Sequence, residues 1–328
     1  MNIRLLLLLN FLFISLNSYA EISRPGLESQ TVTKVYTTVF VTDIDDVDSA
    51  NQSFVANVYV EFHWHDPRLA TADNTPLIVA FDKAWHPRIQ IINQQHIFKT
   101  FPESFEVSKN GDVTYRQRYW GNFSQPLDLK EFPMDSQKLE IQLVAVGYNE
   151  KEVLFVQNLN EPSGLADKLS VTEWTVSHWT AEAMSYMPTK HVEPLSGFHL
   201  VIFADREVMY YTIKIIVPLL LIVAMSWLVF WIDPKESGSQ ISVAITTMLT
   251  LIAYRFAIGE LVPKVSYLNR LDYFILGSTL MVFLTLLLVI ITSNLAKSGQ
   301  AQLANSIDRW SRVIFPLMLT VVTLISFV

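Results

Sequence analysis

The residues whose types and spacing suggest chemistry form a single row. Stepping three and four positions alternately from Ser239 gives Ser242, Thr246, Leu249, Ala253, Phe256 and Glu260. A mean step of 3.5 keeps such a row on one seam of a slightly tilted helix. The seam is graded, with hydroxyls first, apolar side chains in the middle and a carboxylate last. Repeated around a symmetric ring, the hydroxyls could replace part of an ion's hydration. Leu249 and Phe256 could close the path by dewetting, and Glu260 would form a ring of charge favouring cations. An ordinary bundle helix also carries Ser and Thr bonded to neighbours, so the seam alone leaves both readings open. Arg255 lies one position off the row, and neither reading accounts for it.

Two other patterns touch on metals. Thr42 to Asp48 (TDIDDVD) is acidic enough for a divalent ion but lacks the central Gly and closing Glu of a calcium loop. A solvated loop is the plainer reading. His63 and His65 are two apart on a strand and share a face, yet no third ligand is visible. No metal site and no cofactor is therefore expected. The chain has no cysteine, no Gly-rich phosphate loop, no HExxH and no GxSxG, which speaks against an enzyme.

The elements that must position the row divide the 328 residues in two. From Glu21 to Arg206 the chain is polar, with 25 acidic and 15 basic residues, a balance of −10. The rest is apolar, and its six acids and nine bases give +3 of the total −7. An acidic soluble half argues against nucleic acid as a partner and favours cations nearby. Residues 1–20 read as a signal peptide: a basic start, the apolar run Leu5 to Leu16, then Ser18-Tyr19-Ala20 as cleavage site. Residues 21–206 read as short strands, among them 31–42, 54–64, 113–120, 138–146, 172–180 and 198–203, separated by turns such as Asn110-Gly111-Asp112. That pattern predicts an extracellular or periplasmic β-sandwich. Residues 207–328 hold four apolar segments of spanning length, at about 208–232, 239–260, 271–294 and 309–328. The loops 233–240 and 293–312 carry Lys235, Lys297, Arg309 and Arg312, which places them inside the cell.

In this order the parts resemble the pentameric ligand-gated ion channels, in their prokaryotic branch. Trp85-His86-Pro87 followed by Asn93 resembles the family's W-x-P motif, and Phe132-Pro133-Met134-Asp135-Ser136-Gln137 its F-P-x-D-x-Q loop. Pro218, Ser226-Trp227, Phe230-Trp231, Thr250 to Tyr254 and Leu261 to Lys264 resemble its first helix, pore helix and exit loop. The two cysteines that flank the F-P-x-D loop in eukaryotic members are Gln125 and Leu139 here. Anion-selective relatives carry Pro-Ala-Arg before the pore helix, whereas this chain has Lys235 to Gln240 with Glu236 at the inner mouth.

The resemblance implies a β-sandwich followed by a four-helix bundle, assembled as a ring of five identical subunits in the cell membrane. The channel would pass monovalent cations and open to an extracellular small agonist or a pH change. Coupling would run through Asp135, Arg206, Pro263 and an acid of 43–48, with Asp48 preferred over Asp46. A static salt bridge holding the two domains together would use the same charges. The agonist would lie between subunits, near Asn93, Val146, Tyr148, Tyr186 and Phe198 on one face and Arg116 with Tyr59 on the other, where aromatics could hold an amine. The alternative is a non-conducting, membrane-anchored receptor.

Overall fold

The computed structural model describes residues 22–72, 75–190, 192–259 and 261–327. The expected signal peptide and Glu260 lie outside the described residues. The described strands are β1 (Thr33–Asp48), β2 (Ser53–His65), β3 (Leu77–Ala80), β4 (Ile89–Ile91), β5 (Gln94–Lys99), β6 (Ser104–Val107), β7 (Asp112–Ser124), β8 (Ser136–Asn149), β9 (Val153–Gln157), β10 (Gly164–Leu165), β11 (Trp174–Tyr186) and β12 (Leu195–Arg206). They form two sheets. One runs β10-β1-β2-β7-β6-β3, with β5 also on β7 and β9 on β1; the other runs β11-β12-β8-β4.

Alternation in sequence becomes two faces in space. On β2, Phe54, Ala56, Val58, Val60, Phe62 and Trp64 are buried between the sheets, and the residues between them point outward. Phe54 stacks on Phe123 at 5.1 Å, and Trp64 meets Trp85 edge-on at 5.9 Å. Each such burial contributes about 1.5–3 kcal/mol.

The acidic run is not a loop. Residues 43–48 close β1 and pair with β2 across two bulges, at Val41/Asp43 and Ile44/Asp46. Their carboxylates have separate partners. Asp43 accepts from Ser170, Asp45 from Trp120 Nε1 at 2.8 Å, and Asp48 from the amides of Ala50 and Asn51. A shared calcium ion needs converging oxygens, and these diverge.

Four helices follow, all long and apolar enough to cross a membrane: α1 (Val208–Trp231), α2 (Ser237–Ile258), α3 (Arg270–Lys297) and α4 (Ala301–Phe327). A capping box starts α3, with the Asn269 side chain on the Asp272 amide and the Asp272 side chain on the Asn269 amide. Helix α4 begins well before the expected 309. Only residues 298–300 separate it from α3, so the segment 293–312 is mostly helix. Helices α3 and α4 lie close: a Cβ on Gly277 would meet Val322 Cγ1 at 2.5 Å.

Pro218 leaves a local irregularity that α2 repairs. Proline removes an amide and crowds the carbonyl four residues earlier, which here is Lys214. Residues Thr212–Ile216 widen into a π-turn. The Tyr254 hydroxyl of α2 donates to the carbonyls of Lys214 at 3.2 Å and Ile215 at 2.8 Å. The proline thus fixes a hydrogen-bonded contact between α1 and α2.

Candidate functional site

Helix α2 has two unlike faces. Gln240, Ala244, Thr247, Leu251 and Ile258 are buried. At 100° per residue they share one side of the helix. The seam Ser239, Ser242, Thr246, Leu249, Ala253 and Phe256 is exposed along its length. It lies roughly opposite the buried side. Phe256 is 82% and Leu249 61% exposed, large apolar surfaces facing away from the chain's own bundle. The Thr246 hydroxyl donates back to the Ser242 carbonyl at 2.8 Å, which leaves its lone pairs directed outward. Glu236 stands exposed at the N-terminal end of the helix. Arg255 is off the seam and shares a cavity with Pro263, Lys264 and Asp272.

At the inner end, buried polar groups join three helices. Gln240 donates to the Ile232 carbonyl at 2.9 Å and to Asp308 at 3.3 Å. Arg312 donates to the Phe230 carbonyl at 3.0 Å and lies over the Trp231 ring. Residues 308–312 combine Asp, Arg and Trp side chains at the inner end of α4. Trp310 is exposed, whereas Asp308 is buried in the helix packing.

The junction between sandwich and helices is built around Arg206. Its guanidinium holds Asp135 through both oxygens, at 2.7 and 3.0 Å, with both side chains almost fully buried. Arg206 also donates to Ser49 Oγ at 2.9 Å and lies 4.2 Å from the Trp174 ring and 4.8 Å from that of Phe132. The expected third partner, Asp48, is instead used within its own turn, and the neighbouring Ser49 makes the contact. A cavity of about 230 Å³ brings Asp46, Asp48, Phe132, Arg206, Tyr211 and Pro263 together. The Phe132-Pro133 loop is clamped to the start of α3. The amides of Arg270 and Leu271 donate to the carbonyls of Lys130 and Phe132 at 3.1 and 3.2 Å, Tyr267 accepts from Leu129, and Arg270 pairs with Glu131. Displacement of the sandwich must therefore strain the helix starts.

The ligand candidates divide between the two sheets. Tyr148 accepts from Trp85 Nε1 at 2.8 Å, and their rings meet at 5.7 Å. Tyr186 ends β11 opposite Leu195, which also pairs with Asn149, so the two tyrosine loops are neighbours. Val146 is tied to Arg88 through its amide. Asn93 is spent on structure: its side chain donates to the carbonyls of Glu140 and Ser124 and accepts from the Gln142 amide. Phe198 is wholly buried in the sandwich core, out of reach of a ligand. On the other sheet Arg116 bridges Glu61 at 2.8 Å and Glu106 at 2.5 Å.

Sequence reasoning passed over His86, the middle residue of the W-x-P motif. It packs on Phe81 at 4.0 Å, and its Nδ1 accepts the Arg88 amide at 3.1 Å. Burial and the nearby Arg88 charge push its pKa down to about 4. The hydrogen bond needs an unprotonated Nδ1, so the geometry agrees with that direction. A histidine depressed in the folded state binds a proton more readily when unfolded. Stability should therefore fall as pH drops from about 6.5 towards about 4. In His86→Asn, melting temperature should vary less over that window. A variant melting curve parallel to wild type across the window would contradict this.

A β-sandwich joined by a charged, buried hinge to four membrane-length helices, one of them with an outward-facing seam, has the build of a receptor that works on a membrane pore. The sequence matches the neurotransmitter-gated ion-channel ligand binding domain over residues 9–203 and the neurotransmitter-gated ion-channel transmembrane region over residues 215–303. The chain belongs to the pentameric ligand-gated ion channels, and it contains no cysteine.

Proposed function

We propose that five copies of this chain assemble around α2 and conduct monovalent cations when an extracellular small molecule or a pH change acts on the sandwich. The observation that supports this best is the exposed α2 seam, an apolar and hydroxyl row that the chain's own helices leave uncovered. In such a ring Ser239, Ser242 and Thr246 line the inner part, Leu249, Ala253 and Phe256 the constriction, and the sequence adds Glu260 beyond them. Residues 21–206 serve as the ligand-binding domain outside the cell membrane and 207–328 as the pore domain.

Selectivity for cations draws support from the −10 balance of residues 21–206, from Glu236 at the inner mouth and from the lack of arginine between Lys235 and Gln240. Coupling passes from Ser49 and Asp135 through Arg206 to Pro263. Agonist recognition uses Tyr148 and Tyr186 of one subunit against Tyr59 and Arg116 of the next. Planar bilayers containing only this protein, in a KCl gradient, provide the test. Current should reverse near the potassium potential. Reversal at the chloride potential would overturn the cation assignment, and silence under every ligand and pH tried would count against conduction itself.

A further inference from the structure

On the outward face of β2, three metal-capable side chains converge from distant parts of the chain. Glu61, His63 and Glu161 each offer a ligand atom, and those atoms all lie within 4.8 Å of one another. We propose that Glu61, His63 and Glu161 form a Zn²⁺ site on each subunit.

The backbone brings the donors together. Glu61 and His63 are two apart on β2 and so share its outward face. Glu161 reaches them from the segment between β9 and β10. That segment is pinned on β1, where Thr38 donates to the Glu161 carbonyl at 2.5 Å and the Val39 amide donates to Ser163 at 3.0 Å. Thr38 in turn pairs with Glu61 across the strands. Glu161 is exposed, so an ion has a path from solvent, whereas Glu61 is almost fully buried.

The chemistry of the donors selects the ion. One imidazole nitrogen and two carboxylates suit Zn²⁺ or a similar first-row divalent ion. Calcium would require six to eight oxygens. His63 is oriented as a ligating histidine should be. Its Nδ1 lies 2.9 Å from Thr114 Oγ1, which can accept an Nδ1–H and leave the Nε2 lone pair for metal. Nε2 faces Glu61 Oε1, the neighbouring donor of the set.

Charge gives a further reason. Glu61, Glu161 and Glu106 are balanced among these residues only by Arg116. A divalent ion held between Glu61 and Glu161 would offset the repulsion of two carboxylates whose oxygens lie within 4.8 Å of each other. His65 is not part of the set, since it pairs with Asp112.

Isothermal titration of ZnCl₂ into tag-free, full-length protein in detergent tests this without reference to conduction. Wild type should bind one Zn²⁺ per subunit saturably and melt at higher temperature with Zn²⁺. His63→Ala and Glu161→Gln should each bind at least tenfold more weakly and lose the thermal shift. His65→Ala should bind as wild type, and Thr114→Val should weaken binding by about tenfold through the lost orienting contact. The site is refuted by absent saturable binding in wild type. It is equally refuted by wild-type affinity in His63→Ala, or by His65→Ala being as damaging as His63→Ala.

Discussion

Arg206→Ala should destabilise the protein by about 3–5 kcal/mol, the cost of breaking a buried ion pair by removing one partner. Deletion of the guanidinium leaves Asp135 almost fully buried with Gln137 at 2.6 Å and no cation. It also empties a space walled by Trp174, Phe132 and Tyr211, whose ring faces attract the cation. Arg206→Lys should lie between wild type and alanine, since an ammonium cannot hold both Asp135 oxygens and Ser49 with one fork. Thermal melting in detergent reads this order. Ser49→Ala separates a static clamp from a gate. It removes only the 2.9 Å contact between β1–β2 turn and guanidinium and leaves the Asp135 pair in place. Agonist concentration for half-activation should shift while the melting temperature barely moves. If Arg206→Ala melts with wild type, the cage has no structural role.

Much of the scaffold could be read from the sequence because its core positions recur with period two. On β2 every second residue from Phe54 to Trp64 is a buried apolar one, and the outline of a sandwich followed. The short strands β3, β5, β6 and β10 were missed. Gln94–Lys99, for instance, has little β-branched content and is a strand only because β7 pairs with it. The run 43–48 was read as a loop because aspartates are poor strand formers, yet pairing with β2 overrides that preference. The start of α4 was hidden by Asp308, Arg309 and Arg312, charges that suggest a membrane surface until Gln240 and the Phe230 carbonyl supply partners.

The candidate site divides in the same way. The α2 seam could be read along the sequence because its described members, Ser239 to Phe256, lie on one element. Contacts closed by tertiary structure were not, because no local pattern encodes them. Ser49 meets Arg206 across 157 positions, and Tyr254 finds the carbonyls beside Pro218 across 39 and 40. Glu161 approaches His63 only because β1 carries its segment there. His86 was overlooked for a different reason: its neighbours in the motif, not its own surroundings, drew the comparison.

Leu249→Ser should produce current without agonist, and Phe256→Ala should do the same. Both side chains face away from the bundle and are among the most exposed apolar groups on α2. In a ring of five, either would form an apolar collar that stays dry when narrow. A hydroxyl at 249 offers water a partner at the collar, and loss of the ring at 256 widens the path, so each lowers the barrier to wetting. Leu251→Ala is the control, two residues from Leu249 but on the other side of the helix and 1% exposed. It should cost about 2–5 kcal/mol through the cavity it leaves and produce no agonist-free current. Bilayer recordings and melting curves on the three variants give opposite patterns for the two faces. Leak from Leu251→Ala with silence from Leu249→Ser would place the ion path on the wrong side of α2. The comparison is informative because the two leucines lie two positions apart on one helix and face opposite sides of it, one exposed and one buried.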